Sequence, residues 1–251
     1  MRIAIQQPTF LPWVGWFDIM DQVEQLVLLD DVAFSKQSWQ QRNRLRTPSG
    51  LEFVTVPVRS AGRLGQPIRE VELADSRFPT RLEKTVRTNY GRARFFEEYF
   101  EPFRAVVAEA SGSRRLSVLN EGLIGWLADA LGVTTPTVRS GEVDADGVRG
   151  AYVAALCAGL HADEYLSPVG SEGYLLDDAD AFFGRDIRVW LHEYVHPQYS
   201  QVFQPFMPYA STLDLLFNTG PSAGAIMRTG RRVARPLAAT PRTHFGADHD
   251  P

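Results

Sequence analysis

The chain has 251 residues, a formal net charge of −4 and a single cysteine, with 44% hydrophobic and 22% charged residues. This composition is typical of a globular protein with a full hydrophobic core. The negative net charge argues against a nucleic-acid partner, and the single cysteine excludes a disulfide within the chain. No apolar run approaches the roughly 18 residues of a membrane span, and the chain begins with a strand pattern instead of a signal sequence. We therefore expect a cytoplasmic protein with no membrane partner.

The first 29 residues have the pattern of a βαβ unit. Residues 2–5 have the pattern of a short strand that is apolar from Ile3 to Ile5, and Pro8 ends this strand because it has no N–H to donate. Residues 15–25 then place apolar side chains at helical spacing, at Trp16, Ile19, Met20 and Val23. Residues 26–29 form a buried strand. A strand, a helix and a second strand within about thirty residues predict two parallel strands.

Alternating strand and helix patterns continue along the chain and predict an α/β fold. We expect a Rossmann-like (HUP-type), mostly parallel sheet with helices on both faces. One domain spans residues 1–228, with a helical annex at about 77–132, and residues 229–251 form a largely disordered C-terminal tail. The other predicted elements are a hairpin at 43–46 and 53–58, strands at 68–73, 134–138 (an edge strand, because of Pro136), 164–167 and 187–194, and helices at 146–160, 174–183 and 213–217.

The loop after the first strand carries polar side chains with no role in a core. Gln6, Gln7 and Thr9 lie between a strand and the start of a helix, where free N–H groups favour an anion. Ligands of βαβ units bind at the carboxyl ends of the strands, which supports a binding role. The alternative is a tight turn without a ligand.

Two adjacent acids, Asp30 and Asp31, follow the second strand. At this position they can orient a sugar hydroxyl, hold a metal or transfer a proton. Alternatively, one caps the following loop and the other is solvated.

The next segment is dense in polar groups and cations. Lys36, Arg42 and Asn43 can hold a phosphate or carboxylate and orient a carbonyl, and Trp39 beside them offers a stacking surface. In most proteins such a segment is simply solvated.

Two later loops complete the set of candidate residues. His192 and His196 have the i, i+4 spacing of a zinc pair, but Pro197 favours an extended chain, which would put both on one strand face. We expect no metal site and assign His196 a role as acid, base or hydrogen-bond donor. Tyr199 and Gln201 follow it.

Ser167 and Tyr174 bound a flexible loop after another strand. The composition of this loop is suited to binding a sugar or a diphosphate.

Several of these segments together resemble the WbqC family, bacterial proteins encoded among O-antigen and natural-product pathway genes. The resemblance implies a role in making or decorating saccharides or secondary metabolites and implies no particular reaction. Its most specific parts are Pro8 and the run from Trp39 to Asn43. The matching residues are 5–18, 29–32, 34–36, 39–44, 165–167, 196–199, 201 and 211–220.

A more distant similarity links the first loop to HIGH-type nucleotidyltransferases and pantothenate synthetase. Those enzymes have a Pro-Thr step followed by histidines that stabilise charge on the transferring phosphates. Here Pro8-Thr9 is present, but Trp13 and Trp16 stand where the histidines would be. The similarity therefore supports the fold and leaves adenylyl transfer in doubt. The Walker, Gly-x-Ser-x-Gly and GxGxxG patterns are also absent from the sequence.

We therefore predict a biosynthetic group-transfer enzyme that forms an amide or ester on a sugar or an amino-acid-like metabolite. His196, Asp31 and Arg42 are the expected catalytic residues. The expected substrate-binding residues are Gln6, Gln7, Thr9, Asp30, Lys36, Trp39, Asn43, Ser167, Tyr174, Tyr199 and Gln201. One alternative is an ATP- and Mg²⁺-dependent nucleotidyl-transfer enzyme or amide ligase, and another is a non-catalytic metabolite-binding protein. The sequence does not define an oligomeric state.

Overall fold

A computed structural model describes residues 1–238 and contains a six-stranded sheet, a two-stranded hairpin and nine α-helices within that range. The strands are β1 (Arg2–Gln6), β2 (Gln25–Leu28), β3 (Arg42–Thr47), β4 (Gly50–Thr55), β5 (Thr137–Arg139), β6 (Glu164–Pro168), β7 (Arg188–His192) and β8 (Arg235–Pro236). The helices are α1 (Val14–Met20), α2 (Phe78–Tyr90), α3 (Phe96–Gly112), α4 (Leu116–Leu131), α5 (Arg149–Gly159), α6 (Glu172–Asp177), α7 (Ala179–Phe183), α8 (Thr212–Thr219) and α9 (Ala223–Thr229). None of the helices within residues 1–238 is both long and apolar enough to cross a bilayer.

The large sheet has the strand order β5-β2-β1-β6-β7-β8, with parallel neighbours throughout except for the antiparallel β7–β8 pair. Strand β1 lies inside the sheet, as expected for a strand that is apolar at consecutive positions and buried on both faces. Strands β2 and β5 lie on one side of β1, and the later strands β6 and β7 lie on the other side. The topological switch point therefore lies between β1 and β6, where open α/β sheets bind their ligands.

The core occupies both faces of the sheet, so the predicted Rossmann-like α/β arrangement is confirmed. Ala4 and Leu26 belong to one hydrophobic cluster, which also contains residues of α1, α2, α3, α4, α8 and α9. Ile3 and Val27 point the other way, into a second cluster with α5 and α7. Cys157 is buried in this second cluster, and burial raises the pKa of its thiol to about 12.

The segment predicted as a helical annex consists of three helices, α2, α3 and α4. Their buried side chains, such as Leu82 and Leu123, lie in the same hydrophobic cluster as Leu26 of the sheet. The β3–β4 hairpin packs between the annex and the first loop, and its position in the chain agrees with the predicted hairpin.

Two expectations of local structure are wrong. Residues 68–73 alternate in polarity but contain the 3₁₀ helix Ile68–Glu70, because their backbone groups bond to separate loops: Ile68 N–H to Val32 C=O and Leu73 N–H to Arg114 C=O. The helix expected at 174–183 is broken at Asp178, whose carboxylate accepts the Gly150 N–H at 2.9 Å.

The chain remains part of the fold beyond residue 228, where the sequence suggested that the domain ends. Arg231 Nε lies 3.0 Å from Oδ1 of the fully buried Asp18, and β8 adds an antiparallel strand to the sheet. The predicted disordered tail therefore starts too early, and its residues 239–251 lie outside the described part of the chain.

Candidate functional site

Two cavities open near the carboxyl ends of the central strands. The aromatic cavity, of about 290 Å³, is lined by Thr9, Pro12, Trp13, Trp39, Asn43, Arg44 and Tyr209. The switch-point cavity, of about 400 Å³, is lined by Gln7, Leu29, Val32, Arg149, Tyr152, Val153, Tyr174, Asp177 and Asp178. Gln7 and Thr9 belong to the same loop but line different cavities, so this loop forms a wall between them.

Three aromatic side chains shape the first cavity. The ring centroids of Trp13 and Tyr209 lie 5.5 Å apart, and the Arg44 guanidinium lies 5.5 Å from the ring centroid of Trp39. Mostly apolar walls with a few polar groups are typical of small-molecule sites. Such walls suit a sugar ring, an aliphatic chain or an ammonium group.

Arg44 is the charged group of the aromatic cavity. Its NH2 group donates to the Tyr209 carbonyl at 3.3 Å, while its Nε is buried without a hydrogen-bond partner. No carboxylate among residues 1–238 lies within ion-pair distance of this guanidinium, although nineteen other contacts of that kind occur there. A guanidinium that lines a cavity without a carboxylate partner is suited to a carboxylate or phosphate ligand.

Asn43 joins the hairpin to the first loop. Its Nδ2 donates to the carbonyls of Phe10 and Leu11 at 3.1 and 2.8 Å, and its Oδ1 accepts the Arg44 N–H at 2.8 Å. The amide is therefore fully used by the backbone, and Asn43 contributes to the cavity by fixing its wall. The side chain of Arg42 points elsewhere, with its guanidinium 4.4 Å from the ring centroid of Phe53, and it lines neither cavity.

His196 packs behind the aromatic cavity. Its ring is stacked on Trp13 with centroids 6.2 Å apart, and Tyr209 contacts it edge-on at 5.3 Å. Nδ1 lies 2.9 Å from the Pro197 carbonyl, which requires an N–H there and leaves the lone pair on Nε2. Nε2 is buried without a partner. Burial lowers the pKa of the imidazole, while the bond to Pro197 opposes this effect.

Tyr199 and Gln201 are directed into the protein and do not line the cavity. Tyr199 donates its hydroxyl hydrogen to Asp214 at 2.8 Å, and Gln201 Nε2 donates to the same carboxylate at 2.7 Å. Gln201 also binds both backbone groups of Met207. Asp214 is completely buried, and burial raises its pKa to about 6 although these donors favour the ionised form. This network fixes the segment that carries His196 and Tyr209.

The switch-point cavity borders a carboxylate held by two hydroxyl groups. Asp31 accepts the Tyr152 hydroxyl at 2.5 Å and the Ser140 hydroxyl at 2.7 Å. Burial and the bond to Asp31 raise the pKa of Tyr152 to about 12, so its phenol remains a donor at neutral pH. Asp30 is buried beside them, and burial raises the pKa of its carboxyl, with the charge of Glu121 adding to this shift.

Gln7 is the candidate residue best placed to contact a ligand from the first loop. Its side chain is exposed, and its Oε1 accepts the Gln40 Nε2 at 2.8 Å, which leaves its own Nε2 free to donate. Helix α1 begins only at Val14, so the buried residues 10–12 separate its N–H groups from Gln7 and Thr9.

The remaining predicted residues lie outside the two cavities, apart from Tyr174, which lines the switch-point cavity. Gln6 and Ser167 are buried at the ends of β1 and β6. Lys36 lines a separate groove with Phe34 and Leu64.

The two histidines do not share a strand face, because β7 ends at His192. His192 Nε2 binds the buried carboxylate of Asp18 at 2.7 Å, whereas His196 packs on Trp13. Residues 1–238 contain no group of three or more His, Cys, Asp or Glu side chains placed to hold a metal ion.

Sequence reasoning missed Arg44, Tyr209 and Tyr152. Arg44 directly follows the polar segment that contains Arg42 and Asn43, so a local signal existed. The sequence could not show which of the arginines there faces the cavity. Tyr209 and Tyr152 have no local signal because they reach the site from distant parts of the chain.

The fold and the two cavities define the class of protein: a Rossmann-like α/β protein with two cavities near the carboxyl ends of its strands. The model of the WbqC-like protein family matches residues 7–226, and the chain belongs to that family. It is also 32% identical to uncharacterized protein Rv1507c of Mycobacterium tuberculosis (strain ATCC 25618 / H37Rv), over 92% of this chain and 99% of that protein. No solved structure matches the sequence.

Proposed function

We propose that this protein is a biosynthetic group-transfer enzyme that forms an amide or ester between two small molecules, one of them amino-acid-like or sugar-like. One observation carries the proposal: two cavities lie on opposite sides of the loop that contains Gln7 and Thr9. Group transfer requires two substrates to be held next to each other, and bringing them together lowers the entropic barrier to reaction.

The aromatic cavity is proposed to hold the substrate with a carboxylate or a sugar ring. Arg44 supplies the donor for an oxyanion, and the faces of Trp13 and Trp39 supply stacking surfaces. The switch-point cavity is proposed to hold the second substrate. Within residues 1–238, its lining includes two acids, Asp177 and Asp178, and one cation, Arg149. This balance favours hydroxyl and amino groups over a strongly anionic ligand.

In the proposed reaction, the acceptor nitrogen or oxygen attacks the carbonyl carbon of an activated acyl donor, such as a thioester or acyl phosphate. A new C–N or C–O bond forms, the bond to the leaving group breaks, and a base accepts the acceptor proton. His196 is the proposed base because its Nε2 carries the lone pair and its imidazole is neutral at pH 7. Tyr209 covers His196 and must turn away to admit the acceptor. The free Nε2 of Gln7 is placed to donate to the carbonyl oxygen.

The test begins with metabolite extracts of the source organism, because the donor and acceptor have no assigned identity. The protein and its Arg44→Gln variant are incubated with the same extract, and small molecules are analysed by mass spectrometry before and after the incubation. We expect a new product with the mass of donor plus acceptor minus the leaving group, formed by the wild type and absent with the variant. A metabolite that is retained but never altered would favour a non-catalytic binding protein and overturn the proposal.

A nucleotide-dependent ligase is the second candidate, favoured by the position of one cavity at the topological switch point, where Rossmann-like folds bind nucleotides. Calorimetric titration with ATP and Mg²⁺ separates the two versions. Magnesium-dependent heat, lost when Tyr152 is replaced by Phe, would support the ligase. No heat with the intact protein would remove it and leave direct acyl transfer.

A further inference from the structure

A third cleft, outside the two cavities described above, is dominated by arginine. It has a volume of about 260 Å³ and is lined by Arg59, Glu72, Ser113, Arg114 and Arg115. It shares no lining residue with the aromatic or switch-point cavity. We call it the arginine cleft.

The charges of the arginine cleft are strongly unbalanced. Guanidinium nitrogens of Arg59, Arg63 and Arg115 lie 3.8, 3.5 and 3.9 Å from the Glu72 carboxylate, and none of the three pairs with another carboxylate within residues 1–238. Arg114 has no carboxylate partner in the same part of the chain. Four positive side chains therefore surround one negative side chain. Such proximity of like charges is unfavourable unless solvent or a bound anion screens them.

The backbone holds these arginines on a rigid frame made of three chain segments. Arg59 N–H donates to Glu72 C=O at 2.8 Å, and Leu73 N–H donates to Arg114 C=O at 2.9 Å. Glu72 and Arg115 form an antiparallel bridge, and Arg114 has a φ of +58°, a conformation uncommon for residues other than glycine. Arg59, Arg114 and Arg115 are therefore positioned by contacts between separate segments of the chain.

We propose that the arginine cleft binds a phosphorylated small molecule through its phosphate or diphosphate group. Guanidinium groups match phosphate oxygens in pairs, and a surplus of three positive charges suits a multiply charged anion better than a single carboxylate. Helix α4 starts at Leu116 beside the cleft and adds the positive end of its dipole.

A groove next to the arginine cleft can hold the organic part of such a ligand. Arg63 contacts Glu72 and also lines the neighbouring groove of about 580 Å³, which contains Lys36, Phe34 and Leu64. This groove offers apolar surface and one more cation to the organic part of the ligand. The inference does not depend on the proposed acyl transfer, because none of these residues lines either of the two cavities used there.

The experiment is an isothermal titration with pyrophosphate, and separately with inorganic phosphate, at low ionic strength. The double variant Arg59→Gln/Arg115→Gln removes two charges of the cleft. The control Arg77→Gln removes a charge of the same sign from an exposed side chain that lies outside the cleft. Melting curves of each variant report whether it is folded.

We expect the wild type to bind pyrophosphate more tightly than phosphate, and the double variant to bind it at least about tenfold more weakly. Arg77→Gln should retain the wild-type affinity. Glu72→Gln removes the competing carboxylate and should strengthen binding severalfold. Unchanged binding by the folded double variant, weaker binding by Glu72→Gln, or no heat with the wild type would overturn the proposal. So would tighter binding of a short single-stranded RNA than of pyrophosphate, because the cleft would then fit a nucleic acid.

Discussion

The imidazole of His196 is stacked on the indole of Trp13, with the two rings only 16° from parallel. Trp13 belongs to the loop after the first strand, and His196 follows β7. The contact therefore joins two loops at the carboxyl end of the sheet that are remote in sequence. It also places a neutral base directly behind the wall of the aromatic cavity.

Arg44 should decide ligand binding in the aromatic cavity. Replacing Arg44 with Gln removes the only cation that residues 1–238 contribute to that cavity and should weaken the binding of a carboxylate or phosphate ligand about 10- to 100-fold. Calorimetry with the metabolite retained from extracts measures the change. Arg42→Gln is the matched control, because Arg42 stacks on Phe53 outside the cavity. Equal losses in both variants would contradict this assignment.

His196 should make the protein less stable in mild acid. Burial lowers its pKa in the folded state below the ordinary value of 6.5, so the unfolded chain binds the proton more readily. The free energy of unfolding should therefore fall as the pH decreases from about 7 through the lowered pKa. His196→Asn should remove this part of the pH dependence, measured by urea unfolding at several pH values. The exposed His161, changed to Asn, should retain the wild-type slope, and a flat wild-type profile that matches His196→Asn would refute the prediction.

Asp214 should show the opposite pH dependence. Its pKa rises from 3.8 to about 6 on folding, so the folded state binds more protons than the unfolded state between these values. Its contribution to stability is therefore lost as the pH rises, by about 2 kcal/mol between pH 4 and pH 7. The difference in free energy of unfolding between the wild type and Asp214→Asn should therefore favour the wild type more at pH 4 than at pH 7, by roughly that amount. At the half-buried Asp75, whose pKa Arg81 lowers, the change should be smaller and of opposite sign.

Arg231 should stabilise the fold from a segment that the sequence placed in the tail. Its Nε pairs with Asp18, which is completely buried and also contacts His192. Arg231→Gln leaves that carboxylate without its guanidinium partner and should lower the free energy of unfolding by about 3 kcal/mol. Arg232→Gln changes an exposed neighbour and should cost less than about 0.5 kcal/mol. Denaturant unfolding of both variants provides the comparison, and equal stabilities would show that the pair contributes nothing.

The sequence was informative wherever a pattern is local. The apolar run of β1, the helical spacing of the annex and the proline just before the edge strand β5 all led to correct elements. Burial on both faces of a strand or on one stripe of a helix leaves a periodic signal in the sequence. The sequence was misleading at residues 68–73, where alternating polarity comes from packing against the annex. No ladder of backbone hydrogen bonds forms there.

For the site, the sequence identified the right segments but could not assign every side chain to a surface. Gln7, Thr9, Trp39 and Tyr174 line the cavities, whereas Tyr199 and Gln201 serve a buried carboxylate. The loop after β1 contributes Thr9 to one cavity and Gln7 to the other. On β3, the sequence favoured Arg42, but the arginine that lines the aromatic cavity is Arg44, two positions further along the strand.

By itself, the sequence determined a parallel α/β sheet, because consecutive apolar residues in short strands are stable only when covered on both faces. It also determined that polar loops follow β1, β2 and β7. Only the tertiary structure decided that Arg44, Tyr209 and Trp13 share a cavity and that the carboxylate of Asp31 is held by Tyr152 and Ser140. Such contacts depend on the crossing of distant segments, and the spacing of residues along one segment carries no information about where another will pack.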